Sequence, residues 1–274
     1  MRCLIDADIL AYECSYAGQF KDEQTGEMVM KEFDHIEDHL EMKIREITEE
    51  TFSNEPPLLF LSGDDELGRI LKREFKPNFR VAAATTLPYK GNRKVEKPLH
   101  YMNIRPFMLS RYDCVVSDGM EADDALALAQ NDSTVICSVD KDLRQIPGMH
   151  YSWSVGKRPS IPPYKVDHLG ELRLEGKPKK LWMTGIKCFY AQLIMGDPVD
   201  NIQGIPGAGP VTAYEALESA QSESEMYRVV RQLYMAQWPE DGIQRLREHA
   251  ALLWMVRELN EDGSPKMFRP PKEA

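Results

Sequence analysis

The stretch DCVVSDGMEADDALALAQNDSTVICSVDKD, residues 113–142, decides the fold class. It opens and closes on short apolar runs rich in valine and isoleucine, DCVVSDG and TVICSVDKD, which read as buried strands. Between them EADDALALAQ reads as a helix. A strand, a helix and a second strand in thirty residues is the unit from which parallel sheets are built. Working outward, RCLID (2–6) and LLFLSGD (58–64) are two more buried strands. Phe33, Ile36, Leu40, Ile44 and Ile47 recur at helical spacing, so an amphipathic helix is expected over about 34–53, stopped by Pro56 and Pro57. The expectation is an α/β fold with a mostly parallel sheet flanked by helices.

Beyond about residue 184 the pattern changes. TGIKCFYAQLIMG (184–196) is helical, and so are stretches within 210–220, 224–237 and 243–259. The division expected is an α/β core over 1–183 and an all-helical region over 184–274, with a loose tail, DGSPKMFRPPKEA. The chain shows no internal repeat and no low-complexity segment.

In parallel sheets, sites form at the carboxyl ends of strands. Three strands here deliver Asp6, Asp64 and Asp140 at that end, and a fourth leads through Ser117, Asp118 and Gly119 into Glu121. Together with Asp123, Asp124, Asp142, Asp197 and Asp200 they make nine acids at strand–helix junctions. Taken singly, an aspartate at a helix start is an N-cap. Taken together, so many carboxylates at one sheet edge repel one another unless cations neutralise them. Oxygen-only donors suit Mg²⁺ or Mn²⁺, and their number suits two ions, which can activate water and stabilise the leaving oxygen of a phosphodiester.

The net charge is −10, which by itself argues against a polyanionic partner. The distribution argues otherwise. Arg69, Lys72, Arg73, Lys76, Arg80, Lys90, Arg93, Lys94 and Lys97 face only Glu74 and Glu96 over residues 69–97. Such a segment draws a polyanion towards the acids. Within it, YKGNRK offers Tyr89 for base stacking, Lys90 for a phosphate and Arg93 for a bidentate grip. In GDPVDNIQGIPGAGPVTA (196–213), Gly204, Gly207 and Gly209 let a backbone approach a phosphate closely, and a helix beginning near Val211 favours an anion at its N-terminus. The hydrophobic fraction is 42%, enough for a sizeable core. Five cysteines with no C-x-x-C pair point to reduced thiols, and no apolar run is long enough for a membrane span; a soluble cytoplasmic protein is expected.

Asp6, SGD (62–64), YKGNRK (89–94), GMEADD (119–124), SVDKDLRQIP (138–147) and the 196–213 stretch stand in the order used by the flap endonuclease superfamily, which the chain resembles over roughly residues 1–220. The likeness is strongest to small phage-encoded 5′–3′ exonucleases. It implies a PIN-like core in which the nine acids bind two divalent ions, Mg²⁺ with Mn²⁺ as substitute. It also implies a basic helical arch over about 66–100, with Lys90 and Arg93 as catalytic cations and Arg69, Lys72, Arg73, Lys76, Tyr89, Lys94 and Lys97 on nucleic acid. A helix–three-turn–helix hairpin over about 196–213 grips duplex DNA, with a K⁺ site in many members. The substrates implied are DNA with 5′ ends, flaps or nicks and primer RNA in RNA–DNA hybrids, in phage replication within a host cytoplasm, alongside replication proteins. The last fifty residues carry no motif of the family, and Asp8 has no metal-binding role there.

Three rival readings account for less. A haloacid-dehalogenase-type phosphatase would use Asp6 of DADIL as nucleophile, but leaves EADD, YKGNRK and the glycine hairpin without purpose. A non-catalytic binder of branched DNA leaves the full acidic set unexplained. A PIN-type ribonuclease leaves the basic segment and hairpin unexplained.

Overall fold

The computed structural model describes residues 1–93 and 96–272. In chain order, Arg2–Asp6 (β1) runs into Ala7–Ala17 (α1), then a hairpin of Gln19–Lys21 (β2) and Met28–Met30 (β3), then Phe33–Glu50 (α2). Leu58–Ser62 (β4), Asp65–Leu71 (α3), Phe79–Ala83 (α4), Tyr101–Arg111 (α5), Asp113–Ser117 (β5), Ala122–Ala129 (α6) and Thr134–Cys137 (β6) follow. A short 3₁₀ turn, Asp142–Gln145, precedes Gly148–Ser152 (β7) and Ile161–Val166 (β8). Leu172–Glu175 (β9) and Lys180–Met183 (β10) form a second hairpin. The chain then passes through Gly185–Met195 (α7), Gly196–Asp197 (β11), Ile202–Gln203 (β12), Pro210–Leu217 (α8), Glu223–Gln237 (α9) and Gly242–Leu253 (α10).

The described residues group into two compact units: 1–78, 96–139 and 148–165 in the first, and 79–93, 140–147 and 166–272 in the second. The first holds the sheet, in the order β5-β4-β1-β6-β7-β8. The pairs β4–β5, β1–β4, β1–β6 and β6–β7 are all parallel. This is the α/β arrangement the strand–helix–strand pattern predicts. Cys3, Leu4 and Ile5 of β1 are buried because both faces of a parallel sheet are covered. α2 turns Ile36, Leu40, Ile44 and Ile47 inward, the stripe read from the sequence. Each such side chain contributes about 1.5–3 kcal/mol when fully removed from water.

The second unit is built around α7, in which every residue from Gly185 to Ile194 is buried. A helix apolar on all sides belongs at the centre of a bundle. Residues of α8, α9 and α10, including Ala213, Val230 and Leu246, complete the cluster around it.

Several expectations need correction. The tail is packed: Phe268 lies 4.9 Å from Phe189 and 5.3 Å from Trp254, because its ring buries against the α7 cluster. Among the described residues of the segment expected as a helical arch, 66–100, the helices before α5 are α3 and α4; Pro77, Pro88 and Pro98 interrupt it and tight turns close at Gly91 and Arg93. The strands β2, β3, β7, β8, β9 and β10 were not expected. β8 carries Pro162 and Pro163, which read as strand breakers but sit on an edge strand that tolerates them. A two-residue antiparallel ladder, β11 on β12, interrupts the helical region.

Candidate active site

In the first unit the acids sit where parallel strands end and helices begin. Asp6 closes β1 and caps α1: its carboxylate accepts from the Ile9 amide at 3.2 Å and the Ser138 hydroxyl at 2.7 Å. Asp64 follows β4 and caps α3, accepting from the Leu67 amide at 2.8 Å. Glu121 follows β5 and caps α6 in a reciprocal box, with the Asp124 carboxylate accepting from the Glu121 amide at 3.2 Å. The capping reading of single aspartates therefore holds for α1 and α3, and a glutamate takes the same position at α6. Because β5, β4 and β1 are adjacent and parallel, the same three caps line one edge of the sheet. Ser62 links them: its hydroxyl accepts from the Ala122 amide at 2.9 Å, and its amide donates to Asp8 at 3.0 Å. Asp124 is buried and Asp123 half-buried on the same helix.

Cations already attend this edge. Arg105, on α5 and almost fully buried, donates to Asp64 at 2.9 Å and also to the Ser62 carbonyl. The Lys97 ammonium lies 2.7 Å from Glu66 and 3.8 Å from Asp64. Partial burial pushes the Asp64 carboxyl up, but the Leu67 amide and the Arg105 guanidinium outweigh it, leaving its pKa below the usual aspartate value. Asp8 behaves oppositely. Burial raises its pKa against the pull of Arg105, and its Oδ1 is buried with no hydrogen-bond partner.

The second unit gathers Asp140, Asp142 and Asp197 around one lysine. Lys141 Nζ lies 2.8 Å from Asp142 and 2.5 Å from Asp197. Asp140 accepts from the Asp142 amide at 2.9 Å, and Gln192 of α7 donates to Asp142 at 2.6 Å. Burial, then the neighbouring charge of Asp140, pushes Asp142 up to about 7.

The same unit brings YKGNR onto the turn after β11. Tyr89 OH donates to Asp200 Oδ2 at 2.9 Å, Arg93 donates to Oδ1 at 2.7 Å, and Lys90 Nζ lies 3.9 Å away. Backbone and amide contacts zip the two loops together: Lys90 N to Asp200 O at 3.0 Å, Asn92 to Pro198 O at 2.7 Å, and Asn201 to Pro88 O at 2.9 Å. Tyr89, read as a stacking platform, here packs its ring on the α7 cluster with Lys90 5.0 Å above it.

The remaining nucleic-acid candidates divide by exposure. Arg69, Lys72 and Arg73 line an open groove with Gly68 and Phe75. Arg73 pairs with Asp118 at 3.2 Å, whose Oδ1 also accepts from the Lys76 amide at 2.6 Å. Lys94 lies outside the described residues. Between α7 and α8, Gly204 has an internal reason for being glycine: a Cβ there would lie 2.2 Å from the Met195 carbonyl carbon and 2.3 Å from the Gly196 nitrogen. Gly207 and Gly209 face open space, and Gly207 holds φ +77°. Among the described residues, no three carboxylate, imidazole or thiolate side chains come together closely enough to hold a metal ion.

Sequence reasoning missed Arg105, Lys141 and Glu248. Lys141 had a signal, since it stands between two acids in VDKD. Arg105 and Glu248 had none, because their partners lie 41 and more than 160 residues away.

No family model matches the chain. A DNA polymerase I of Rhizobium leguminosarum is 35% identical over 114 residues, 38% of this chain and 10% of the polymerase. A flap endonuclease Xni of Shewanella halifaxensis is 27% identical over 157 residues, 54% of this chain. A solved T5 5′-exonuclease with divalent metal ions (zinc) bound superposes over 92% of this chain and 88% of its own, with TM-score 0.57 at 16% identity. The chain is thus similar to members of the flap endonuclease/5′–3′ exonuclease superfamily and shares the fold of the T5 enzyme. Its matches span a tenth of the polymerase and 58% of the flap endonuclease. The likeness in fold accords with the mostly parallel sheet of the first unit. No helix among the described residues is long and apolar enough to cross a membrane.

Proposed function

We propose that this chain is a divalent-metal-dependent 5′–3′ exonuclease and flap endonuclease that hydrolyses phosphodiesters near the 5′ ends of duplex or branched DNA. The observation that carries the reading is the row of Asp6, Asp64 and Glu121 along the carboxyl edge of three adjacent parallel strands, in a chain similar to flap endonucleases. The donor chemistry fits hard cations, being all carboxylate. Asp6, Asp64, Glu121, Asp123 and Asp124 would hold Mg²⁺, with Mn²⁺ as substitute, and Asp140, Asp142, Asp197 and Asp200 are a second acidic group of the same donor chemistry, which suits two ions in all. When bound, such ions supply activated water and neutralise charge at the scissile phosphate.

The chain's own residues do the rest. Lys90 and Arg93 stabilise charge building on the phosphate, after exchanging Asp200 for it. Arg69, Lys72, Arg73, Lys76, Lys94 and Lys97 draw the strand in. The open backbone at Gly207 and Gly209 would contact duplex phosphates, and a K⁺ held at this hairpin would supply positive charge there. Substrates include primer RNA in RNA–DNA hybrids, which places the activity in replication, as in a phage, alongside replication proteins.

One observation favours a second reading, a non-catalytic binder of branched DNA: Asp64, Asp142, Asp197 and Asp200 are each already paired with a lysine or arginine. A panel of 5′-labelled flap, nicked duplex and RNA–DNA hybrid decides between them. The nuclease reading expects Mg²⁺-dependent products of defined length from each; tight binding with intact strands supports the binder.

A further inference from the structure

We propose that Glu248 of α10 is a positioning residue for the segment bearing Lys90 and Arg93, and that this clasp is what the C-terminal helices contribute to cleavage. The proposal rests on the nuclease reading above. Glu248 is buried at 9% exposure, and both its oxygens are spent on two consecutive residues. Its Oε1 accepts from the Thr85 and Thr86 amides, each at 2.7 Å. Its Oε2 accepts from the Thr85 hydroxyl at 2.6 Å and the Thr86 hydroxyl at 2.8 Å. Short bonds to a charged acceptor are the strong kind, and four of them fix both the position and the direction of one peptide step. Burying a carboxylate is costly unless its acceptors are filled; here all the donors named come from this one step.

The same helix end holds the segment a second time. Arg80, 2% exposed, donates to the Leu252 carbonyl at 2.9 Å and the Trp254 carbonyl at 2.7 Å. Downstream, Lys90 N and Asn92 are bound to Asp200 and Pro198. The segment 80–93 is thus anchored on α10 at one end and on the turn after β11 at the other. From Thr86 to Lys90 is four residues, at most about 14 Å of extended chain, and Pro88 stiffens it. A shift at Thr86 therefore reaches the Lys90 ammonium with little slack to absorb it.

The test compares wild type, Glu248→Ala and Glu248→Gln for amide exchange at Thr85 and Thr86, affinity for a 5′-flap, and single-turnover cleavage with Mg²⁺. Glu248→Ala is expected to release both amides and to slow cleavage about 10–100-fold, with affinity within about threefold of wild type, since the exposed cations that bind the strand are untouched. Glu248→Gln is expected to restore most of the rate, because its Oε1 still accepts two amides and its NH₂ donates to the two hydroxyls. Should Glu248→Ala not fold, the Thr85→Ala/Thr86→Ala pair carries the test, with a smaller loss expected and a wild-type rate overturning the proposal. Released amides with an undiminished rate overturn the positioning role while leaving the nuclease reading intact, as does a Gln variant no better than Ala. A wild-type chain that cleaves no substrate overturns the nuclease reading and the proposal with it.

Discussion

Lys90, Arg93 and Tyr89 all reach the carboxylate of Asp200, so the residues read as catalytic cations and one read as a metal ligand neutralise each other in this structure. Lys141 does the same between Asp142 and Asp197, and Arg105 on Asp64. Such pairing offsets part of the repulsion among the acids within each unit. It also sets an exchange: a phosphate must replace Asp200 on Lys90 and Arg93. If Lys90 then acts on the reacting phosphate, Lys90→Ala should lower the single-turnover rate by about 10²–10³-fold with little change in flap affinity. A loss confined to affinity would make Lys90 a docking residue. The acids and YKGNR were legible in the sequence because each stands at a strand end or in a compact motif. Their pairing was not, since Tyr89 and Asp200 are 111 residues apart and nothing local signals the contact.

At the scale of elements, the buried strands β1, β4, β5 and β6 and the helices α2 and α7 were readable from periodicity alone. The misses share a cause. β2 and β3 expose most of their three residues, so no apolar rhythm marks them, and β9, LRLE, alternates over only four residues, too few to stand out. The tail reads as polar and proline-rich, yet Phe268 packs on the α7 cluster and Lys266 pairs with Glu258. The link between α7 and α8 makes a sharper case. Its glycines read alike in the sequence but divide in the structure into one that is packed, Gly204, and two that are open. Gly204→Ala should cost about 1–3 kcal/mol by forcing backbone apart. Gly209→Ala should cost at most about 1 kcal/mol, as a change at a helix cap, yet weaken duplex binding by filling the space a phosphate would use. Thermal melts and binding isotherms on the two variants check this; equal destabilisation with equal affinity would remove the hairpin from the DNA interface.

Across the whole molecule, a net charge of −10 coexists with a basic run over 69–97. Opposite signs kept on separate segments allow an acidic protein to take up a polyanion. Arg69 and Lys72 are exposed on the open groove, so their joint replacement by alanine should weaken DNA binding evenly across sequences and reduce the salt slope by about two. An unchanged slope would mean the groove carries no phosphate. The central claim is that the strand-end carboxylates work through divalent cations, and a single time course tests it most directly. A 5′-labelled flap is incubated with wild type and with Asp64→Asn, each in Mg²⁺ and in EDTA. The account predicts short labelled products from wild type in Mg²⁺ alone, with the variant binding the flap but leaving it intact. Equal cleavage in EDTA, or a fully active Asp64→Asn chain, would contradict it.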